Sequence, residues 1–307
     1  MPLPTSDQYA GVLLDPASAF ADSDLRDCTP VLDGQGRPLA ITGSFGSVFR
    51  LNDPDGRPVG VKCFTRYSEN PGVQQRRLAL ISSVLGRVNR RWKVDFEVQP
   101  KGVLVGSQWH PILKMEWVHG EGLGSFIDRN LGRPGALEAV ARRFATLVDE
   151  LAEDGLAHGD LQHGNILVEA STGLRLVDYG GMYVPGLETL GVPEKGHENF
   201  QSPDRGNEFG PHIDRFSAWV IYASLVALTL EPSLWVRLRA GQGNQLLFNQ
   251  ADFAAPDDSP ALQALAESGK GGLRALGETL REIWAAGLTW IPRLDPGVLP
   301  SPAHLPA

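Results

Sequence analysis

Apolar residues return at three- and four-residue steps through Leu137, Val140, Ala141, Phe144, Leu147, Val148 and Leu151, which predicts a helix over residues 136–152 with Pro134 before it and Gly155 after it. A second face of this kind, Val73, Leu78, Ile81, Val84, Leu85 and Val88, predicts an amphipathic helix over residues 71–88. Elsewhere the period falls to two. Residues 47–51 and 59–64 alternate on either side of Asp53-Pro54-Asp55-Gly56 and predict a hairpin. Residues 94–117 carry a further strand group, with breaks expected at Pro100-Lys101-Gly102 and Ser107-Gln108. Short apolar runs at 166–168 and 174–177 flank Ser171-Thr172-Gly173 and predict another hairpin.

The apolar run 218–230 is too short to span a bilayer. It predicts a buried core helix starting near Asp214, polar only at its ends. Weaker helices are expected over 234–290. Residues 292–307 hold five prolines and are expected to be extended or disordered. Residues 1–36 show no regular period and are expected to form an ordered extension that lays Phe20 and Leu25 onto the first strands.

A chain of 307 residues that is 42% hydrophobic can build one large domain or two lobes sharing a cleft. Its two cysteines, Cys28 and Cys63, make neither a disulfide framework nor a zinc site, which suits a reducing cytosol. No basic region followed by an apolar core opens the chain, so no secretory leader and a cytoplasmic location are expected. A net charge of −8 without a basic stripe argues against nucleic acid as a main partner.

The candidate chemistry concentrates in residues 156–180, LAHGDLQHGNILVEASTGLRLVDYG. His158, Asp160, Asn165 and Asp178 sit there on a strand-loop-strand frame. The hairpin would bring Asn165 and Asp178 together as oxygen ligands suited to Mg²⁺, a hard cation. Upstream, Gly43 and Gly46 occupy a turn whose backbone can approach phosphate closely. Lys62 lies on an otherwise apolar strand, where it needs an anionic partner such as phosphate. An edge-strand lysine reaching to water accounts for that pattern equally well.

Taken together, the glycine turn, the strand lysine, HGDLQHGN and DYG occur in an order and spacing that resembles the protein kinase superfamily from about residue 41 to 290. The resemblance implies an α+β, bilobal protein kinase-like fold with a small antiparallel-sheet N-lobe over 37–117 and a mainly helical C-lobe over 118–291. The extension 1–36 and the Pro-rich tail 292–307 would flank them as candidate docking segments for a protein partner. It further implies ATP and Mg²⁺ as cofactors and a protein substrate, with transfer of the γ-phosphoryl group to a Ser/Thr rather than a Tyr hydroxyl, and no membrane partner.

By the same resemblance Lys62 would contact the α- and β-phosphates, Gly43 and Gly46 would cover them, and Asp160 would orient the attacking hydroxyl and accept its proton. Asn165 and Asp178 would hold Mg²⁺. Val48 and Gly60 above and Leu167 below would sandwich the adenine, whose edge would meet backbone groups of Glu116 and Val118. Phe200-Gln201-Ser202-Pro203-Asp204 looks like the end of the activation segment, with Asp204 in place of Glu. Asp214 matches the buried Asp that holds the catalytic loop from below. His158, His163 and Tyr179 are expected to pack rather than react.

Four positions depart from the family pattern. Ile41 stands where the first loop glycine is common. No acidic residue lies between Asn70 and Lys93 to pair with Lys62, so that helix offers only Gln74, Gln75 or polar neighbours, and Glu69 stands too close to the end of the lysine strand. Gly159 replaces the Arg that precedes the catalytic Asp, so phosphorylation at Tyr183, Thr189 or Ser202 is not expected to be the on-switch. Gln162 and His197 stand where Lys and Thr usually bridge to that Asp, which points to an altered substrate side. A pseudokinase and a small-molecule kinase remain the alternative readings.

Overall fold

The computed structural model describes residues 2–193, 195–239 and 243–298. Its contacts divide the chain into two compact units, residues 1–87 with 94–118 and residues 88–93 with 119–307.

The first unit is a six-stranded antiparallel sheet with helices on both faces. Three short helices, α1 (Ser6–Val12), α2 (Pro16–Ala19) and α3 (Ser23–Arg26), precede strands β1 (Thr29–Pro30), β2 (Ala40–Thr42), β3 (Gly46–Asn52) and β4 (Pro58–Phe64). Helix α4 (Pro71–Leu85) and strands β5 (Phe96–Val105) and β6 (Gln108–Glu116) complete it. The sheet order is β1-β3-β4-β6-β5, with β2 added to β3.

Alternate residues of a strand face opposite sides, and the two sides of this sheet are covered differently. Phe49, Leu51, Val61, Cys63 and Ile112 pack against Tyr9, Leu13, Phe20 and Leu25 of the N-terminal segment. Phe64, Leu113 and Met115 pack on the other face with Leu78 of α4.

The N-terminal segment is also held by polar contacts. The Tyr9 hydroxyl donates to the Phe64 carbonyl at 2.9 Å, and the Ala21 amide donates to the Gly102 carbonyl at 3.0 Å. The Lys114 ammonium lies 2.9 Å from both Asp22 and Asp24. One break expected from the sequence is absent. Strand β5 runs through Pro100-Lys101-Gly102, which forms a shift of register between Gln99 and Val103 instead of ending the strand. A bulge absorbs the proline and glycine while pairing resumes beyond them. Helix α4 ends at Leu85, one turn before the expected limit.

In the second unit, strand β7 (Glu121–Gly122) pairs with a hairpin of β8 (Ile166–Val168) and β9 (Leu174–Leu176). Helix α5 (Leu123–Asn130), which no sequence periodicity predicted, precedes α6 (Pro134–Glu153) and α7 (Arg215–Leu230), which follow the expected apolar runs. Helices α8 (Leu234–Arg239), α9 (Gln250–Ala254), α10 (Pro260–Glu267) and α11 (Gly271–Ala285) fill the rest. Residues 88–93 join this unit: the Leu176 amide donates to the Trp92 carbonyl at 2.7 Å, and Arg90 forks onto Asp154 at 2.9 and 3.0 Å.

Helix α7 is buried from Phe216 to Leu230. Its hydroxyls, contrary to the purely apolar expectation, include Ser224 and Thr229. They donate to the carbonyls of Val220 and Leu225, one turn back, which satisfies them without water. Phe216, Phe253 and Trp284 meet edge to face at 4.9 and 5.0 Å and join α7, α9 and α11. No helix among the described residues is long and apolar enough to cross a membrane. The proline-rich tail lies largely outside the described residues, since only 292–298 of it are described.

Phe20 is fully buried, so Phe20→Ala should lower stability by about 3–5 kcal/mol, read as a drop in the urea midpoint. A loss below about 1 kcal/mol would detach the N-terminal segment from the core. The Asp22 contact carries a pH signature. Burial opposes ionisation of Asp22, but the Lys114 ammonium, the Gln99 amide and the Asp24 backbone outweigh it and hold the carboxyl below its usual range. A lowered folded pKa gives a contribution present above the ordinary carboxylate range and lost as pH falls through the lowered value. Asp22→Asn should therefore flatten that part of the acid limb in a plot of stability against pH.

Candidate active site

The hairpin of β8 and β9 sets the frame. Its register pairs Ile166 with Leu176, Leu167 with Arg175 and Val168 with Leu174. The turn is closed by the Thr172 amide on the Glu169 carbonyl at 2.8 Å. Beyond the hairpin, the Val177 amide donates to the Asn165 carbonyl at 3.0 Å, so the residue before Asp178 is tied directly to Asn165. Asp178 itself sits in the left-handed region at φ 64°. Such backbone is costly outside glycine and least so for Asp and Asn.

Asp160 is surrounded by donors. Its Oδ1 accepts the His197 amide at 2.7 Å, and its Oδ2 accepts the Gln162 side-chain amide at 3.1 Å and the Asn165 side-chain amide at 3.0 Å. Gln162 and His197, which depart in type from the family pattern, thus still bridge to Asp160, one through its side chain and the other through its main chain. A carboxylate has about four lone-pair positions. Three donors leave one on Oδ1, enough for one incoming hydroxyl.

The Asn165 amide also reaches the Asp160 carbonyl at 2.9 Å, so both its protons point at Asp160 and its Oδ1 is left as an acceptor. Asn165 Oδ1 and the Asp178 carboxylate are oxygen donors of the kind Mg²⁺ takes together with phosphate and water. Among the described residues no three His, Cys, Asp or Glu gather as a metal cage. The donor set suits a cation shared with phosphate.

Asp214, at the start of α7, holds the loop from below. Its carboxylate accepts the amides of His158 and Gly159, the second at 2.9 Å. Burial pushes this carboxyl up, against the opposing influence of His158, the two amides and Arg205. Gly159 has φ +79°, and a Cβ there would lie 2.0 Å from the Gly181 carbonyl oxygen. An Arg at this position is excluded by that approach. His158 and Tyr179 are buried packing residues: the His158 ring meets the Val177 carbonyl at 2.9 Å and the Tyr179 hydroxyl donates to the Leu176 carbonyl at 2.7 Å. His163 stacks on Phe200 at 5.2 Å. Leu167, half-buried on β8, is paired with Gly122.

The remaining candidates lie in the first unit. Lys62 is 8% exposed and lies on β4, between β3 and β6, with Val48 and Leu113 as its paired neighbours. A central strand rules out the edge-lysine reading. Val48, Gly60 and Lys62 share one face of the sheet, since Val48 pairs with Lys62 and Gly60 is two residues along. Gly43 is exposed and tied by its amide to the Gly46 carbonyl at 2.8 Å. Gly46 has a structural reason of its own, because a Cβ there would lie 2.4 Å from the Cys63 carbonyl oxygen. Strand β6 ends at Glu116, whose amide donates to the Asp95 carbonyl at 3.1 Å, and Val118 is the last residue of the unit.

Two of the acceptors considered for Lys62 are already engaged. Glu69 holds the buried Arg77 at 2.7 and 3.1 Å, and Gln74 accepts the Ser68 amide at 3.3 Å. Asp204 is exposed. The buried group is its neighbour. Arg205 is 2% exposed and donates to the Gly159 carbonyl at 2.7 Å. Sequence reasoning missed Arg205 and also Gly196, whose Cβ would lie 2.9 Å from Asp160 Oδ1. Neither belongs to a local motif.

A family model described as the ABC1 atypical kinase-like domain matches residues 107–186, a stretch that runs from the start of β6 past Asp160, Asn165 and Asp178. The chain is therefore similar to a kinase-like domain over its central quarter. The protein kinase-like resemblance and the α+β architecture, an antiparallel-sheet N-terminal unit followed by a mainly helical one, agree with that match. No curated protein matches the chain.

Gly155→Ala and Gly159→Ala separate backbone from contact. Gly155 has φ +69° with nothing within 4 Å of a Cβ, so its replacement should cost about 1–2 kcal/mol through left-handed backbone alone. Gly159→Ala carries the same cost plus the collision with Gly181, and its urea midpoint should fall clearly further. Equal midpoints would remove the steric reason for glycine at 159.

Proposed function

We propose that the chain is an ATP- and Mg²⁺-dependent phosphotransferase of the kinase-like type that acts on a protein hydroxyl, Ser or Thr rather than Tyr. The observation that carries this reading is the hydrogen-bonding of Asp160, a carboxylate aimed by His197, Gln162 and Asn165 with one acceptor position open. Phosphoryl transfer asks mainly for positioning and charge neutralisation. Asp160 would orient the substrate hydroxyl and take its proton as the new O–P bond forms.

The second unit supplies Asn165 and Asp178 for Mg²⁺, and bound Mg²⁺ would neutralise phosphate charge. The first unit supplies Lys62 for the α- and β-phosphates and the turn at Gly43 and Gly46 above them. In the first unit Val48 and Gly60, with the backbone of Glu116 and Val118, are the candidates to line the adenine, and in the second unit the candidate is Leu167. A protein substrate is supported by two matches that small-molecule kinases of this resemblance generally lack, the segment Phe200-Gln201-Ser202-Pro203-Asp204 and the buried Asp214 that takes the amides of His158 and Gly159. Buried free cysteines and a charge of −8 suit action in a reducing cytosol.

A second reading, a nucleotide-binding pseudokinase, is favoured by one observation. Gln162 and His197 reach Asp160 through neutral donors where the resemblance has Lys and Thr.

Two measurements divide these readings. Mg²⁺-dependent thermal stabilisation by ATP should be several degrees in wild type and vanish in Asp178→Asn. Labelled phosphate should pass from ATP to protein and fall by about 10³-fold or more in Asp160→Ala. Binding without transfer would establish the pseudokinase, and turnover on a small alcohol with no labelled protein would replace the substrate class.

A further inference from the structure

The loop that carries Asp160 is gripped through two successive peptide planes. Asp214 takes the amides of His158 and Gly159 and so sets the plane between those residues. The next plane, between Gly159 and Asp160, is set from its carbonyl end by Arg205, whose Nη1 donates to the Gly159 carbonyl at 2.7 Å and also to the Gln201 side-chain oxygen. That plane fixes the direction in which Asp160 leaves the backbone.

The chain around Arg205 closes on the same loop. The His197 amide holds Asp160 Oδ1, the turn over 198–200 returns the Phe200 amide to the His197 carbonyl at 2.9 Å, and the Arg205 amide donates to the Ser202 carbonyl at 3.1 Å. Gly196 lets this happen. A Cβ there would lie 2.8 Å from the Gly159 carbonyl oxygen, 2.9 Å from Asp160 Oδ1 and 2.7 Å from the Gln201 amide. On the other side of the loop the Gly181 carbonyl fills the space a side chain at 159 would need.

We propose that Arg205 is a positioning residue for Asp160, and that through the Gly159 carbonyl it holds residues 196–205 against the catalytic loop without any phosphorylation. Asp214 is a buried carboxylate held by two amides, and Arg205 places a cation on the same loop, which further offsets the cost of burying that charge. The cation comes from within the segment itself, so a covalent phosphate has no Arg at 159 to bind and no ordering left to supply. This deepens the phosphotransferase reading and its kinetic part rests on it.

The test combines hydrogen exchange with kinetics on the full chain, shown unphosphorylated by intact mass. In wild type the amides of 158–160 and 197–201 should be protected. Arg205→Met should raise their exchange by about tenfold or more while α6 and α7 stay unchanged, and Arg205→Lys, which keeps a donor and the charge, should recover most of the protection. In the transfer assay Arg205→Met should lower kcat by about tenfold or more with KM for ATP within about threefold, and Arg205→Lys should restore most of it. Should Arg205→Met fail to fold, Gln201→Leu leaves the charge beside Asp214 and removes the fork partner, with an expected rise in exchange of about threefold.

Wild-type exchange in these variants, or protection that arises only once Tyr183, Thr189 or Ser202 is phosphorylated, would overturn the proposal. So would equal impairment of the Met and Lys variants. Absence of any transfer by wild type would sink the phosphotransferase reading alone, and the exchange comparison would still decide Arg205.

Discussion

Everything around Asp160 depends on a carboxylate buried beneath its loop. Asp214 is 6% exposed at the head of a helix buried along its whole length, and it takes the amides of His158 and Gly159. An ion in such surroundings is tolerated only with close donors, so the loop must come to it. Because α7 is enclosed by α6, α11 and the ring cluster, the anchor cannot drift, and the position of Asp160 is inherited from the core.

The close approach explains two departures from the family pattern as one. Gly159 cannot be Arg because the Gly181 carbonyl occupies the place of its side chain, and Gly181 is there because the turn after Asp178 folds back onto the loop. Charge that would have stood at 159 is supplied by Arg205. Gln162 and His197 likewise keep contact with Asp160 while changing its chemistry, since an amide nitrogen and a main-chain N–H donate without bringing a positive charge. The site orders its carboxylate with neutral donors and reserves the buried cation for the backbone.

In the first unit the N-terminal helices serve as core. They seal one face of the sheet while α4 covers part of the other, and Lys62 lies on the second face in a central strand. The Ser6, Ser47 and Thr42 hydroxyls form a chain of contacts at 2.9 and 3.3 Å beside the glycine turn, so that turn is braced by α1 as well as by its own hairpin.

Local periodicity was enough for much of this. The faces of α4 and α6, the buried run of α7, both hairpins and the motif order from Gly43 to Asp178 could be read directly, because each depends on residues a few positions apart. The packing of Phe20 and Leu25 onto the first strands was also expected from the sequence and is found. The register shift that carries β5 past Pro100 was not legible, since a bulge is decided by the partner strand. Nor were the roles of Arg205, Gly196 and Gly159, for they arise where segments 46 and 37 residues apart meet. Sequence alone determined which chemical groups the site contains and on which elements they ride. Tertiary structure alone decided which backbone atoms those groups hold, because hydrogen bonds to main-chain carbonyls and amides leave no trace in residue type.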